Sequence, residues 1–230
     1  LNDSTLNVDL TWNDPDGLEI IKHYTFTKGS YLIGVKYTVI NHSKKMWTGQ
    51  YYSQLTRKKV DEGSGHLFQI HPYFGAAISS PEKHYTEIPF KKMRTTPINQ
   101  TIENGWAAMI QRYFVSAWIP DAKQPFNYYS KAEGDDIYTI GLSSQPISVA
   151  PGQSKTIGAQ LYSGPEITSV LKSIAPGLEQ TVSYGWLWFI AQPIFAVLIF
   201  LQSGQISIFG NVIDIGAGVG NWGVAIILLT

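Results

Sequence analysis

Tyr31, Ile33, Val35, Tyr37 and Val39 occupy every second position of a ten-residue run. That alternation predicts a strand with one face turned to a core. The preceding run LEIIKHYTF (18–26) is joined to it through Thr27-Lys28-Gly29-Ser30. Gly29 can supply the positive φ of a tight turn, so the pair predicts a hairpin. Further β-rich runs lie at 66–70, 106–110, 113–119, 137–142 and 156–162, parted by turn clusters such as Pro151-Gly152-Gln153. Residues 1–163 therefore read as all-β, and many short strands between turns imply a sandwich or barrel. The period changes after Gly164. Pro165 suits a first helical position, and Ile167, Val170, Leu171 and Ile174 follow 3/4 spacing until Pro176-Gly177, which predicts one short helix.

The last quarter of the chain has no two-sided pattern. Tyr184 to Gln202, YGWLWFIAQPIFAVLIFLQ, is a run of 19 uncharged residues, 15 of them apolar or aromatic. As a helix it would be about 28 Å long, near the roughly 30 Å of a bilayer's hydrocarbon. Within it IFAVLIFL (194–201) is apolar all round and requires lipid or a deep core. Pro193 and Gln192 in mid-run keep a buried core helix open as the alternative to lipid contact. Tyr184, Trp186 and Trp188 at one end suit the aromatic belt of a membrane interface. Six glycines then fall between 204 and 223, before VAIILLT, which reads as the first turns of a transmembrane helix. The absence of a starting Met and of a signal-peptide pattern makes Leu1 look internal to a longer protein.

Charge divides the chain at the same place. All 17 basic residues lie at or before Lys172, and beyond it only Glu179 and Asp214 are acidic. The first 172 residues thus carry 17 basic and 15 acidic groups, a formal +2, while the last 58 carry two charges. With a net charge of zero the chain has no global basic field, so nucleic acid is not an expected partner. Zero cysteines exclude disulfides, thiolate nucleophiles and Cys-type zinc or iron–sulfur sites.

Candidate chemistry is sparse. VIDIGAGVGNWG (212–223) places Gly218, Gly220 and Gly223 as GxGxxG after Asp214, as in a nucleotide-cradling loop. That mechanism needs a βαβ unit, and no α/β alternation precedes it, so the glycines read better as a flexible or closely packed connection. His66 and His71, with Asp61 and Glu62 nearby, permit a metal site, although no third His, Cys or HExxH accompanies them. His23, His42 and His84 are scattered and no GxSxG occurs. Glu133, Asp135 and Asp136 beside Gly134 could form a paired-carboxylate site, but an acidic turn between strands is simpler. Asn2, Asn41 and Asn99 begin sequons. No catalytic, cofactor-binding or metal residue is assigned, and no enzyme activity or cofactor is expected. The membrane-contact candidates are Tyr184, Trp186, Trp188, Phe189, Phe195, Leu198, Phe200 and Trp222.

The segments TKGSYLIGVKYTVIN (27–41), GWAAMIQRYFVSAWIP (105–120), SQPISVAPGQ (144–153), SGPE (163–166) and YGWLWFIAQPIF (184–195), in this order, resemble the YidC family of bacterial membrane-protein insertases. The resemblance covers the large periplasmic domain and the start of the conserved membrane region. It implies a mainly β fold, an antiparallel β-super-sandwich of the kind found in sugar mutarotases, followed by a short helix and a membrane-associated helical segment. Residues 1–176 would be the periplasmic domain. Residues 177–230 would be an interfacial helix, the Gly-rich connection and the start of a transmembrane helix. The implied function is insertion and folding of hydrophobic segments in the inner membrane, alone or with the Sec translocon, with lipid and nascent membrane proteins as partners. The alternative is a carbohydrate-binding or mutarotase-like periplasmic domain. Three departures from the family pattern are expected. The first span and opening strands are missing before Leu1, 204–219 is an insertion, and no basic residue lies between Ser173 and Thr230. The groove that accepts clients would lie in helices beyond Thr230.

Overall fold

The computed structural model describes residues 4–59, 73–120, 124–182, 188–208, 211–214 and 218–229. The 66–70 run, His66, His71, Asp61, Glu62, Tyr184 and Trp186 lie outside the described residues. The chain separates into two compact units, Leu1–Gly65 with Tyr73–Val182, and His66–Pro72 with Ser183–Thr230.

The first unit is built of strands β1 (Thr5–Asn13), β2 (Leu18–Thr27), β3 (Leu32–Asn41), β4 (Trp47–Gly49), β5 (Tyr52–Lys58), β6 (Gly75–Ile78), β7 (Thr86–Pro89), β8 (Asn99–Ile102), β9 (Ala107–Ile110), β10 (Phe114–Pro120), β11 (Phe126–Glu133), β12 (Ile137–Ser144), β13 (Ile147–Val149) and β14 (Ser154–Pro165). Helix α1 (Phe90–Thr95) interrupts them, and helix α2 (Thr168–Ile174) and a 3-10 turn (Leu178–Thr181) follow. An eight-stranded sheet runs β1-β2-β3-β14-β10-β9-β6-β7, and a four-stranded sheet runs β5-β12-β11-β8. Strands β13 and β4 form a separate pair. Every described pairing is antiparallel, as in a sandwich. The fold class is the expected one, mainly β with antiparallel sheets and a short helix after them.

The expected hairpin is β2–β3, with Phe26 opposite Ile33 and Gly29 at φ 77°. Runs 106–110, 113–119, 137–142 and 156–162 correspond to β9, β10, β12 and β14. The all-β reading missed α1, a single turn and a half whose buried Phe90 and Met93 are too few to raise a helical period. The predicted start of the later helix also shifts. Pro165 is still in β14, opposite Phe114, and holds the chain extended, so α2 begins only at Thr168.

Burial explains the strands at the centre. In β6 and β9, Ala76, Ile78, Ala107 and Met109 face the layer between the sheets, where they meet Phe126, Tyr128, Ile140 and Leu142. Their neighbours Ala77, Ala108 and Ile110 face the other way and are covered by Leu171, Ala175 and Leu178. A strand covered on both faces reads as an unbroken apolar run, which is why GAAI and AAMI show no alternation. At about 1.5 to 3 kcal/mol per large apolar side chain, Leu171 and Leu178 make α2 and the 3-10 turn an integral layer of this unit. Trp106 Nε1 donates to the Pro176 carbonyl at 3.0 Å. Gly177 sits at φ 80°, where a Cβ would collide with the His84 carbonyl.

In the second unit are helices α3 (Trp188–Ser203) and α4 (Trp222–Leu229), separated by strands β15 (Gln205–Ile208) and β16 (Asn211–Asp214). The stretch read as a flexible or closely packed connection contains a two-stranded antiparallel hairpin.

Candidate membrane-facing site

α3 is 16 residues long with Pro193 inside it. Among the described residues no helix is long and apolar enough to cross a membrane. α3 nevertheless presents Ile194, Phe195 and Val197 exposed, with Leu198 and Phe200 half-buried. α4 exposes Trp222, Val224, Ile226, Ile227 and Leu228 and buries Ala225, and α3 and α4 pack on each other within this unit. Ile227 is 74% exposed. The exposed α4 side chains occupy every side of the helix except that of Ala225 and Leu229, and no polar face exists to meet water. Leaving such side chains in water costs about 1.5 to 3 kcal/mol each, which makes this surface a site for apolar surroundings. Of the sequence candidates, the structure describes the side chains of Phe195, Leu198, Phe200 and Trp222, all in the second unit.

The glycine motif acquires a definite role. The Val219 and Gly220 N–H groups donate to the Leu201 and Gln202 carbonyls, each at 2.8 Å, and Gly204 N–H donates to the Phe200 carbonyl at 2.8 Å. Gly218 must be glycine because a Cβ would collide with the Ser203 and Gly204 backbone. Gly220 has φ 66°. Asn221 Oδ1 then accepts from the Gly223 N–H at 2.8 Å and the Val224 N–H at 3.3 Å, capping α4. A phosphate cradle needs those N–H groups free and a parallel sheet beside them. Here they close the end of one helix and open the next, and β16 pairs antiparallel with β15 alone.

The remaining polar candidates are absorbed by the fold. The Glu133 to Asp136 cluster is the β11–β12 turn, with Gly134 at φ 55°. Arg94 clamps it by donating to the Gly134 carbonyl at 2.9 Å, the Asp135 carbonyl and Tyr138 Oη. Glu133 pairs with Lys131 at 3.0 Å. His23 bridges Asp9 and Thr38 at 2.8 and 2.9 Å. His42 lies 3.3 Å from Glu19. Among the described residues no cluster of three metal-ligating side chains occurs. Asn41 is fully buried, its Nδ2 donating to the Lys45 and Val149 carbonyls at 2.8 Å each, so this sequon is a structural knot.

Glu166 was not singled out by the sequence. It follows β14 directly, and its Oε1 is buried with no hydrogen-bond partner. Burial pushes its carboxyl up to about 7. The nearby tyrosine hydroxyls serve elsewhere, Tyr85 donating to Glu87 at 3.2 Å and Tyr162 to the Pro165 carbonyl at 2.6 Å.

A family model described as the YidC periplasmic domain matches residues 1–197. The chain belongs to this family. Two similar relatives are both called membrane protein insertase YidC. That of Alcanivorax borkumensis is 49% identical over 235 residues, covering 99% of this chain and 40% of the relative. That of Legionella pneumophila strain Corby is 41% identical over 226 residues, covering 98% and 38%. The chain therefore spans about two fifths of the length of these YidC relatives. Among solved structures, an α-galactosidase from Lactobacillus brevis is similar with TM-score 0.53 at 14% identity, over 74% of this chain and 24% of that one. A GH36 α-galactosidase from Geobacillus stearothermophilus has TM-score 0.54 at 8% identity, over 74% and 25%. At these identities the likeness concerns the sandwich fold alone. The YidC match extends past the sandwich into α3, ending at residue 197.

Proposed function

We propose that this chain is the periplasmic domain and membrane-proximal segment of a bacterial inner-membrane insertase, which inserts and folds hydrophobic segments alone or with the Sec translocon. Residues 1–176 face the periplasm, and 177–230 form the link to the bilayer. Tyr184, Trp186, Trp188, Phe189, Phe195, Leu198, Phe200 and Trp222 meet lipid in this reading, and nascent membrane proteins are the clients. The observation that carries it is the apolar exposure of α4 on every side but that of Ala225 and Leu229, together with the exposed Ile194, Phe195 and Val197 of α3, in a stretch with no basic residue after Lys172. Family membership and the relatives' name support the same reading. Insertion is a matter of solvation, in which polar flanks must cross while apolar spans pass into lipid, and no bond is made or broken.

The test is flotation of the chain with liposomes. Because the segment has no cations, binding should be equal on zwitterionic and anionic vesicles and insensitive to salt. Brominated acyl chains should quench Trp222. A chain that stays at the bottom of the gradient, or Trp222 fluorescence unaffected by bromolipid, overturns the proposal.

A further inference from the structure

Four large apolar side chains of the first unit come to its surface at one end of the eight-stranded sheet. β3 and β10 start there and β14 ends there, with Leu32 opposite Tyr162 and Phe114 opposite Pro165. Three connections therefore meet: the β2–β3 turn with Tyr31, the β9–β10 turn with Tyr113 and the adjoining Phe114, and the β14–α2 junction with Ile167. The Ser163 N–H donates to the Tyr31 carbonyl at 3.1 Å and the Glu166 N–H to the Tyr113 carbonyl at 3.0 Å, which ties the three together. Tyr113 is 66% exposed, Phe114 55%, Tyr31 48% and Ile167 43%. Single exposed apolar residues are ordinary, but four on joined loops make a patch.

The chemistry of these loops narrows what could cover them. Lys28 and Arg112 are exposed in the same two turns, and the Arg112 guanidinium lies 5.6 Å from the centre of the Tyr113 ring. Oε1 of Glu166, the acid at the third junction, is buried, so the charge this end shows to solvent is cationic. Aromatic rings beside cations suit a headgroup layer, where the rings sit at the apolar boundary and the cations meet phosphate. An added peptide strand needs a row of main-chain donors, and the N–H groups of Ser30, Gln111, Ser163 and Glu166 are all donated within the loops. Chain length points the same way. Five residues, 183–187, join Val182 of the first unit to Trp188 of α3 and span at most roughly 20 Å when extended. An α3 held in lipid keeps Val182 within that reach, which makes contact by the loops an intramolecular second event.

We propose that these loops rest on the anionic headgroups of the bilayer, with Tyr31, Tyr113, Phe114 and Ile167 at its apolar boundary and Lys28 and Arg112 against lipid phosphate. The proposal rests on the reading that α3 and α4 meet lipid and adds a contact made by the first unit. α3 and α4 decide whether the chain floats with a vesicle of either charge, and the loops decide how the first unit is held there.

Because the chain has no cysteine, Gln111→Cys, Gln153→Cys and Ile227→Cys each direct one fluorescent dye to a known place on the full chain. Gln111 lies in the β9–β10 turn, Gln153 is exposed at the opposite end of β14, and Ile227 reports α4. On vesicles of phosphatidylcholine with phosphatidylglycerol, a headgroup nitroxide should quench the Gln111 dye and leave the Gln153 dye unchanged, while an acyl-chain nitroxide quenches the Ile227 dye. Phe114→Asp with Ile167→Asp should lower the ratio of docked to undocked loops at least about tenfold, seen as loss of the Gln111 quenching. Both positions are exposed, so this variant should keep the parent's thermal melt. Lys28→Glu with Arg112→Glu should abolish the stronger Gln111 quenching on phosphatidylglycerol than on phosphatidylcholine alone. A quenched Ile227 dye beside an unquenched Gln111 dye overturns this proposal and leaves the membrane reading standing. An unquenched Ile227 dye overturns that reading and the proposal with it. Equal quenching at Gln111 and Gln153 also overturns the proposal, as does a Gln111 signal that fades when the chain is diluted in lipid, the mark of a second copy on these loops.

Discussion

Replacing Glu166 by Gln isolates the cost of a carboxylate held where nothing pairs with it. Its folded value of about 7 stands against an ordinary 4.5. At 1.36 kcal/mol per pH unit the ceiling is roughly 3 kcal/mol. The carboxyl is only half withdrawn from water, so screening reduces this to about 1 to 2 kcal/mol. The native state holds the proton more tightly than the unfolded chain. Stability from this group is therefore complete below pH 4.5, falls as pH rises toward about 7, and is level above. Gln cannot ionise, so Glu166→Gln should gain about 1 to 2 kcal/mol relative to the parent on going from pH 4 to pH 8. For a domain of this size that is a change of about 2 to 8 °C in the difference between melting temperatures, readable by near-UV circular dichroism. A difference between the two proteins that is the same at pH 4 and pH 8 would refute the reasoning.

Leu171→Ala should destabilise the first unit by about 2 to 5 kcal/mol in urea unfolding, because Leu171 is fully buried between α2 and the sheet. Gly177→Ala should cost at least about 1 to 3 kcal/mol by the same assay, since it combines positive φ with a collision at the His84 carbonyl. Phe195→Lys, at an exposed α3 position, should reduce liposome flotation several-fold while leaving the urea midpoint of the sandwich unchanged. Arg94→Ala should loosen the β11–β12 turn, seen as faster amide exchange at Gly134 to Asp136 with little loss of global stability.

The legible parts of the fold were the hairpin β2–β3 and the β-rich runs between turn clusters that became β9, β10, β12 and β14. β3 alternates because Val35, Val39 and Asn41 on one side are buried while the residues between them are only partly covered. β6 and β8 escaped because GAAI is Gly and Ala apart from Ile78 and NQTI has only Ile102 buried, so neither reads as a β-rich run. β1 does alternate, yet both of its faces are exposed in the described structure, so a pattern alone could not have given its environment. For the candidate site, the charge boundary near Lys172 located the apolar stretch, since a missing charge is visible in any sequence. The hairpin β15–β16 and the helix-closing role of Gly218 and Gly220 depend on which carbonyl each N–H reaches, which spacing does not encode. Glu166 was hidden for a related reason: its surroundings include Tyr85, distant in sequence, as well as Tyr162, and both hydroxyls are bonded elsewhere.

The sealed corner between α3 and α4 bears on depth. A bare peptide oxygen carried into hydrocarbon costs several kcal/mol, and a helical bend ordinarily keeps to the water line for that reason. Because the oxygens of Phe200, Leu201 and Gln202 are already occupied from within the same corner, the turn can submerge without bringing hydration along.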